Sequence, residues 1–245
     1  EGFIRRVFQE ALQVEIPTPL PRLTYREAME RFGSDKPDTR FGMEICDVSD
    51  IVKNSAFSVF SGAVAGGGSV RAITAKNSVS VLSRKEIDKL TEFVRGIGGK
   101  GIAWIRITKD STASSFGKFM TEEEMSQILA RTRAGEGDVV LIIADVKTGH
   151  VLQQLGALRT EVAHKLDIIP KDKYNFLWVV EFPFFEYDEE SGQYVAMHHP
   201  FTAPLDECIP YLESDKASVR AKAYDLVLNG IELSSGSIRI TNPEL

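Results

Sequence analysis

The middle of the chain alternates between apolar spacings typical of helices and of strands. Apolar residues recur every three or four positions in Val151–Leu166 and after the capping sequence Ser83-Arg-Lys-Glu86, which predicts two amphipathic helices. Val139–Ala144 is a continuous apolar run of strand length, and Ile102–Ile107 alternates as a half-buried strand does. We therefore predict that residues 43–172 form an α/β domain of their own.

The flanks of this block have different patterns. Phe3–Leu12 has helical spacing, and Thr24-Tyr-Arg-Glu27 is a capping box that starts a short helix closed by Gly33. Towards the other end, Leu177–Glu186 predicts one long apolar strand. Tyr194–His199 follows an acidic turn and is expected to return antiparallel to that strand.

Two shorter segments also indicate β-structure. Phe57-Ser-Val-Phe60 is a brief strand candidate. Ala223–Leu228 and Ile231–Leu233 are separated by Asn229-Gly230, a dipeptide that favours a type I′ turn. This second segment is the strongest hairpin signal in the chain, and it predicts which residues face each other across the two strands.

The hairpin brings two acidic residues together. With a two-residue loop, Val227 pairs with Glu232, so Asp225 and Glu232 become diagonal neighbours with Cα atoms roughly 7–8 Å apart. Both could hold one hard cation, because Mg²⁺ at ATP sites is usually bound by one or two carboxylates plus phosphate oxygens. Spacing alone favours the alternative, a solvated acidic pair on the exposed face of a hairpin.

Arg239 is a candidate for binding a carboxylate. It lies between Ile238 and Ile240, so its guanidinium should face away from them, and the planar fork suits a carboxylate. In an unbroken strand Arg239 and Glu232 would point to opposite faces, and a bulge within Ser234–Gly236 would restore a shared face. The strand pattern alone favours an ordinary surface arginine.

His198 and His199 close a predicted strand. Adjacent strand residues face opposite sides, so the two imidazoles cannot chelate one metal while the backbone is extended. One of them could face a cleft and bind an anion or a carboxylate. A partly buried structural histidine is an equally good interpretation of these residues alone.

Composition narrows the class of protein. The 245 residues are 43% hydrophobic and 26% charged, as in globular proteins, and the net charge of −6 argues against a non-specific nucleic-acid coat. Two cysteines in no CxxC spacing argue against a disulfide framework and a zinc site. No apolar run approaches the roughly 18–20 residues of a membrane span. We expect a cytoplasmic protein without membrane association.

Five segments together resemble bacterial-type aspartyl-tRNA synthetases, and they occur in that family's order. The resemblance covers essentially the whole chain. The segments are Arg31-Phe-Gly-Ser-Asp-Lys-Pro-Asp38, Gly99-Lys-Gly-Ile-Ala-Trp104, Leu155-Gly-Ala-Leu-Arg159, His198-His-Pro-Phe-Thr202 and Ala223-Tyr-Asp-Leu-Val-Leu-Asn-Gly230.

The resemblance implies an α+β fold. Residues 1–42 and 173–245 look like two pieces of a class II catalytic domain, an antiparallel sheet with helices. Residues 43–172 look like the GAD domain inserted between them. The family's anticodon-binding domain and class II motifs 1, 2 and 3 are missing from the sequence, which also lacks an initial Met. We therefore expect a fragment that does not form aspartyl-adenylate by itself.

The resemblance also implies a reaction. L-Aspartate would attack the α-phosphate of ATP, giving aspartyl-adenylate and pyrophosphate, and the aspartyl group would pass to the terminal ribose of tRNA(Asp), or of tRNA(Asn) as well. Asp225 and Glu232 would bind Mg²⁺ and ATP. His198, His199 and Arg239 would bind aspartate, with Arg239 pairing with its side chain. No residue is assigned as a general acid or base, and the intact enzyme is expected to be a homodimer.

The sequence departs from the family just after the hairpin. Ser234-Ser235 occupy positions where the family usually has glycine, and Thr241 occupies a position where histidine is common. The added hydroxymethyl groups would narrow the pocket or restrict the backbone.

The alternative function is a GAD-containing tRNA-binding subunit of a tRNA-dependent amidotransferase. Such a subunit has no need of the histidine pair, the carboxylate pair and Arg239 together, so the sequence favours the synthetase.

Overall fold

A computed structural model describes residues 1–243 and 245 of the chain. The helices are α1 (Gly2–Leu12), α2 (Tyr25–Phe32), α3 (Ser49–Val52), α4 (Ser58–Ala65), α5 (Arg84–Gly96), α6 (Glu122–Thr132) and α7 (Thr148–Lys165). The strands are β1 (Arg22–Thr24), β2 (Cys46–Asp47), β3 (Ser69–Ala75), β4 (Ala103–Ile107), β5 (Thr112–Ser114), β6 (Val139–Asp145), β7 (Phe176–Val180), β8 (Phe185–Asp188), β9 (Gln193–Ala196), β10 (Ala223–Leu228) and β11 (Ile231–Ser237).

The chain forms two compact units. The first comprises Glu1–Ala28, Asp35–Arg40 and Asp172–Leu245, and the second comprises Met29–Ser34 and Phe41–Lys171. Helix α2 therefore contributes its first half to one unit and its second half to the other. The identification of the second unit with an inserted GAD domain stays a prediction.

The second unit contains a five-stranded sheet covered by helices on both faces. The strand order is β2-β3-β6-β4-β5, and every neighbouring pair is antiparallel. The predicted α/β alternation of helices and strands is present, but its strands pair antiparallel and not parallel. The mixed α+β class with antiparallel sheets is confirmed.

The position of strand β6 in the sheet explains why its sequence is apolar without interruption. Leu141 lies in the core formed with α5 and α7, whereas Val140 and Ile142 lie in the core formed with α3, α4 and α6. Antiparallel sheets often leave one face to water, but here both faces of the strand are buried. The run Val139–Ile143 is therefore hydrophobic at every position.

The predicted helix starts are present in the structure. The Ser83 hydroxyl accepts a hydrogen bond from the Glu86 N–H at 3.3 Å at the start of α5. Thr24 and Glu27 form a reciprocal capping box at α2, with distances of 3.1 Å from the Glu27 N–H to Thr24 Oγ1 and 2.8 Å from the Thr24 N–H to the Glu27 carboxylate. Gly33 ends α2 with a φ of 67°, the left-handed conformation that favours glycine.

The strand predicted at Phe57–Phe60 is wrong, because these residues lead into helix α4. Phe60 and Ala63 are three residues apart and both are buried, which is the spacing of a helix face. Phe57 packs edge-on against Phe60 with ring centroids 4.8 Å apart. A window of four residues is too short to distinguish the two periodicities, and the aromatic contacts decide in favour of the helix.

The first unit contains a four-stranded sheet in the order β1-β7-β10-β11. Strand β1 runs parallel to β7, and the other two pairs are antiparallel.

The prediction of one strand over Leu177–Glu186 is wrong, because β7 ends at Val180. The next residue, Glu181, adopts a φ of 57°, and a strand cannot continue through that conformation. Strand β8 starts a separate two-stranded sheet with β9, so the predicted antiparallel return is confirmed for that part.

Among the described residues, no helix is both long enough and apolar enough to cross a bilayer.

Two glycines allow close backbone approach within the second unit. Gly156 of α7 lies directly against the backbone of Gly33, and a methyl group at Gly156 would overlap the Gly33 carbonyl oxygen. One turn further along α7, Arg159 is fully buried and donates to the Gly42 carbonyl at 2.5 Å, with its guanidinium 4.3 Å from the Phe41 ring centroid. The contact of the two glycines and this buried cation hold α7 against the segments around residues 33 and 42.

We predict that Gly156→Ala destabilises the chain by about 3 kcal/mol, because the added methyl forces two backbone segments apart. Gly149→Ala is the matched control in the same helix, since a methyl there meets nothing within 4 Å. The control should change the free energy of unfolding by no more than about 1 kcal/mol, in the stabilising direction. Urea titrations followed by circular dichroism measure both, and equal effects of the two substitutions would contradict the packing argument.

Candidate functional site

The structure confirms the predicted hairpin between β10 and β11. Leu228 pairs with Ile231, and the strands are joined by Asn229 and Gly230 alone. These two residues have φ angles of 52° and 86°, the pair of left-handed conformations that defines a type I′ turn. The turn therefore sets the pairing from which the positions of the acidic residues follow.

A β-bulge interrupts the hairpin close to the turn. Leu233 has no partner in β10, because the residues on either side of it pair with Leu226 and Val227. The predicted bulge position, Ser234–Gly236, is therefore wrong by one residue. An extra residue in one strand shifts the alternation of all later side chains.

The bulge decides which side chains share a face with the carboxylates. Glu232 pairs with Val227, whereas Ser235 pairs with Asp225 and Ser237 with Ala223. Since alternate residues of β10 point to the same side, Glu232, Ser235 and Ser237 all lie on the Asp225 face. One of the two serines found where the family usually has glycine thus lies beside the acidic pair.

The acidic pair is electrostatically coupled. Burial, followed by the charges of Glu232 and Asp35, raises the pKa of Asp225 to about 6, and the nearby Lys36 opposes this shift. Asp225 is half-buried, so its charge is only partly screened by water. A carboxyl group whose pKa is raised by burial and by a second carboxylate is a favourable place for a divalent cation, which would relieve the repulsion.

The sequence reasoning missed Asp35 and Lys36 as members of this site. Both belong to Arg31–Asp38, one of the segments that carry the family resemblance, and that was the available signal. Asp35 also adds to burial in raising the pKa of Tyr25, as does Glu186. The polar cluster of the first unit is therefore wider than the hairpin.

The described residues limit how a metal could bind. Among residues 1–243 and 245, no three His, Cys, Asp or Glu side chains are grouped to hold an ion. At the hairpin, the candidate donors are the two carboxylates Asp225 and Glu232. This set fits Mg²⁺, which is usually held by one or two carboxylates while substrate phosphates and water complete its octahedron.

The two histidines lie beyond the end of β9 and have different surroundings. His198 is half-buried, with its ring edge-to-face against Phe182 at a centroid distance of 5.5 Å. Burial lowers the pKa of His198, while a hydrogen bond to the Pro183 backbone and the charge of Glu186 act in the other direction. His199 is exposed, and its Nδ1 accepts a hydrogen bond from the Phe201 N–H at 3.2 Å.

Backbone pairing joins the histidine segment to the arginine segment. Thr202 and Arg239 form an antiparallel bridge, and the Ile240 N–H donates to the Phe201 carbonyl at 2.9 Å. The Thr202 hydroxyl lies 3.1 Å from the Ser237 hydroxyl. Arg239 is exposed and forms no salt bridge within residues 1–243 and 245. Its guanidinium is therefore available to an external carboxylate.

We predict that Asp225→Asn stabilises the chain at pH 7.5 and leaves its stability unchanged at pH 3.5. Between the ordinary pKa of 3.8 and the folded value of about 6, the unfolded state loses its proton first, so stability falls as pH rises. Above this pH range Asp225 is ionised in the folded state, and the free energy of unfolding is lowered by the full cost of burying its charge. After solvent screening, we expect a gain of about 1 kcal/mol from the asparagine.

Urea titrations at the two pH values test this prediction. Glu232→Gln serves as the linked variant, because removal of its charge lowers the pKa of Asp225 and moves the pH window downwards. A gain from Asp225→Asn that is equal at pH 3.5 and pH 7.5 would show that ionisation of Asp225 is not its cause.

Comparison with known proteins relates this geometry to a family. The model for tRNA synthetases class II (D, K and N) matches residues 1–245. The chain is 56% identical to an aspartate–tRNA ligase of Ruminiclostridium cellulolyticum and 51% identical to one of Clostridium perfringens, in both cases over 100% of this chain and 41% of the relative. It is 53% identical to an aspartate–tRNA(Asp/Asn) ligase of Lachnoclostridium phytofermentans, over 98% of this chain and 40% of the relative.

The chain thus spans about 41% of the length of the curated relatives that it matches. Because the family model matches every residue, the chain belongs to the class II tRNA synthetases of the D, K and N group.

Proposed function

We propose that this chain is part of an aspartate–tRNA ligase, which activates L-aspartate with ATP and transfers it to tRNA. The observation that carries the proposal is the 56% identity to such a ligase over the entire chain. A tRNA-binding amidotransferase subunit is not favoured, because the relatives that match the whole chain are named as ligases. The arrangement of the first unit supports the synthetase for three separate reasons.

The first reason is the acidic pair. Asp225 and Glu232 share one face of the hairpin, and burial followed by the charge of Glu232 raises the pKa of Asp225 to about 6. We assign Mg²⁺ and the phosphates of ATP to this pair. When bound there, the ion would supply positive charge to the phosphate oxygens. The two carboxylates would hold it in place and would both be ionised once it is present.

The second reason is Arg239. An exposed guanidinium without a salt-bridge partner in the described residues can form a bidentate pair with the side-chain carboxylate of aspartate. Asparagine presents an amide there, which offers one acceptor and a donor that faces the donors of arginine. Arg239 would therefore distinguish aspartate from asparagine by charge and by hydrogen-bond type.

The third reason is that the histidine segment pairs with the backbone around Arg239. We assign His198 and His199 to the binding of aspartate on this basis and on the family resemblance.

In the proposed reaction, one oxygen of the aspartate α-carboxylate would attack the α-phosphorus of ATP, and the bond to the pyrophosphate oxygen would break. The attacking carboxylate carries no proton to remove, so positioning and charge stabilisation suffice and no general base is needed.

The partners follow from the same proposal. The RNA substrate is tRNA(Asp), and tRNA(Asn) is a second candidate because a relative at 53% identity is named for both. We expect the intact protein to form a homodimer and to act in the cytoplasm, where tRNA is aminoacylated.

In the full-length protein, Arg239→Lys should raise the KM for aspartate by about tenfold or more, because lysine keeps the charge but loses the planar fork. The KM for ATP should stay within about twofold, since Arg239 is assigned to the amino acid alone. Aspartate-dependent exchange of pyrophosphate into ATP measures both constants. Arg5→Lys on the exposed helix α1 is the matched control, and the 245-residue chain alone is expected to show no exchange. An unchanged KM for aspartate would contradict the assignment.

Glu232→Gln in the full-length protein should reduce kcat/KM for ATP by about a hundredfold and raise the Mg²⁺ concentration required for half-maximal rate. The physical reason is the loss of one of two carboxylates that hold the ion. Glu190→Gln, in the exposed turn of the β8–β9 hairpin, makes the same chemical change far from the acidic pair in sequence and should change neither quantity. A Mg²⁺ requirement identical to that of the unaltered protein would place the ion elsewhere.

A further inference from the structure

The chain changes direction at Glu181, immediately after strand β7. Glu181 has a φ of 57°, in the left-handed region. A residue with a β-carbon is disfavoured in this conformation, because the β-carbon comes too close to the following carbonyl oxygen. Such a residue stays there only when its surroundings hold it in place.

Arg220 supplies a contact that holds Glu181. Its Nη1 donates to the Glu181 carboxylate at 2.5 Å, and its Nη2 donates to the Glu207 carboxylate at 3.1 Å. The backbone of Arg220 is fixed as well, because it forms an antiparallel bridge with Pro183 and its carbonyl accepts the Leu205 N–H at 2.8 Å. The guanidinium is therefore held between two carboxylates, one of which belongs to the strained residue.

The bend at residues 181–184 is in contact with the segment that carries His198. Phe182 is buried, and its ring packs edge-to-face against the His198 imidazole at a centroid distance of 5.5 Å. The Phe184 carbonyl accepts the Met197 N–H at 3.1 Å, so the backbone just before His198 is bound to the same bend. A different φ at Glu181 would move both contacts, because a backbone torsion rotates the chain that follows it.

The ion pair suits the selection of a conformation better than the support of the whole fold. The side chains of Arg220 and Glu181 are 43% and 32% exposed, and ion pairs at such positions add little to the free energy of unfolding. The preference of one residue for one backbone conformation over another is also small. An ion pair of modest strength is therefore enough to decide the conformation of Glu181.

We propose that Arg220 is a positioning residue for His198, which it places by holding Glu181 in the left-handed conformation. This role rests on the proposed function, in which His198 contacts aspartate. Arg220 acts through the backbone of Glu181 and the ring of Phe182. Strained backbone of this kind is found at active sites, where the surrounding contacts over-determine it.

Nuclear Overhauser contacts between the rings of Phe182 and His198 test the positioning in the 245-residue chain, without an enzymatic measurement. We expect these contacts in the unaltered chain and in Glu181→Gly, because glycine adopts the left-handed conformation without help from an ion pair. They should weaken by about half or more in Glu181→Ala and in Arg220→Ala. Equal contacts in all four proteins would overturn the proposal.

Two further variants complete this experiment. Arg6→Ala is the matched control, since it removes an exposed arginine–glutamate pair of 2.8 Å on helix α1 and should leave the ring contacts unchanged. If Arg220→Ala does not fold, Glu181→Gln takes its place, because it keeps the size of the side chain and removes the charge. Ring contacts of full strength in Glu181→Gln would then overturn the proposal.

A second experiment measures the consequence in the full-length protein. Arg220→Ala should raise the KM for aspartate about fivefold and change the KM for ATP by less than about twofold. Added to Glu181→Gly, the same substitution should change the KM for aspartate by less than about twofold, because the left-handed conformation no longer needs the ion pair. An equal rise in both backgrounds would overturn the proposal. If the unaltered full-length protein shows no aspartate-dependent exchange, the proposed function fails, while the ring contacts still decide whether Arg220 places His198.

Discussion

The turn at Asn229-Gly230 is the constraint on which the candidate site depends. Its two positive φ angles force the flanking strands into a single pairing, and a slip by one residue would send every side chain to the other face. Asn229 also anchors the turn to the start of β7, since its side-chain oxygen accepts the Asn175 N–H at 2.9 Å and its amide donates to the Lys173 carbonyl at 2.7 Å. With this register held, the bulge at Leu233 places Ser235 and Ser237 on the carboxylate face.

Carboxylates of the first unit repel one another at that face of the hairpin. Burial, followed by the charges of Glu232 and Asp35, raises the pKa of Asp225 to about 6, and the charge of Lys36 offsets only part of this shift. The fold does not need this arrangement, because the sheet around it is held by apolar residues such as Val179 and Val227. Clusters of titratable groups with perturbed pKa values are characteristic of functional sites, and a bound cation would relieve the repulsion in this one.

The parts of the fold that follow from local chemistry were predictable. The capping sequences at Ser83 and Thr24, the stop at Gly33 and the Asn-Gly turn all act through residues within four positions of each other. The strand assigned to Phe57–Phe60 failed because its contacts, with Phe116 and the sheet, come from residues far along the chain. The strand over Leu177–Glu186 failed because hydrophobic spacing carries no information about the φ angle at Glu181.

The sequence by itself therefore determined the capped helices, the strand pairing next to the turn and the family resemblance, since each of these is encoded in short spacings and specific residue types. The tertiary structure alone decided the bulge position, the antiparallel direction of the second sheet and the grouping of Asp35 and Lys36 with Asp225. It also decided the burial of His198 and the hydrogen bond that the Phe201 N–H donates to His199. The physical reason is that pairing, burial and charge coupling act through space, between atoms whose distance along the chain does not reveal their distance in the fold.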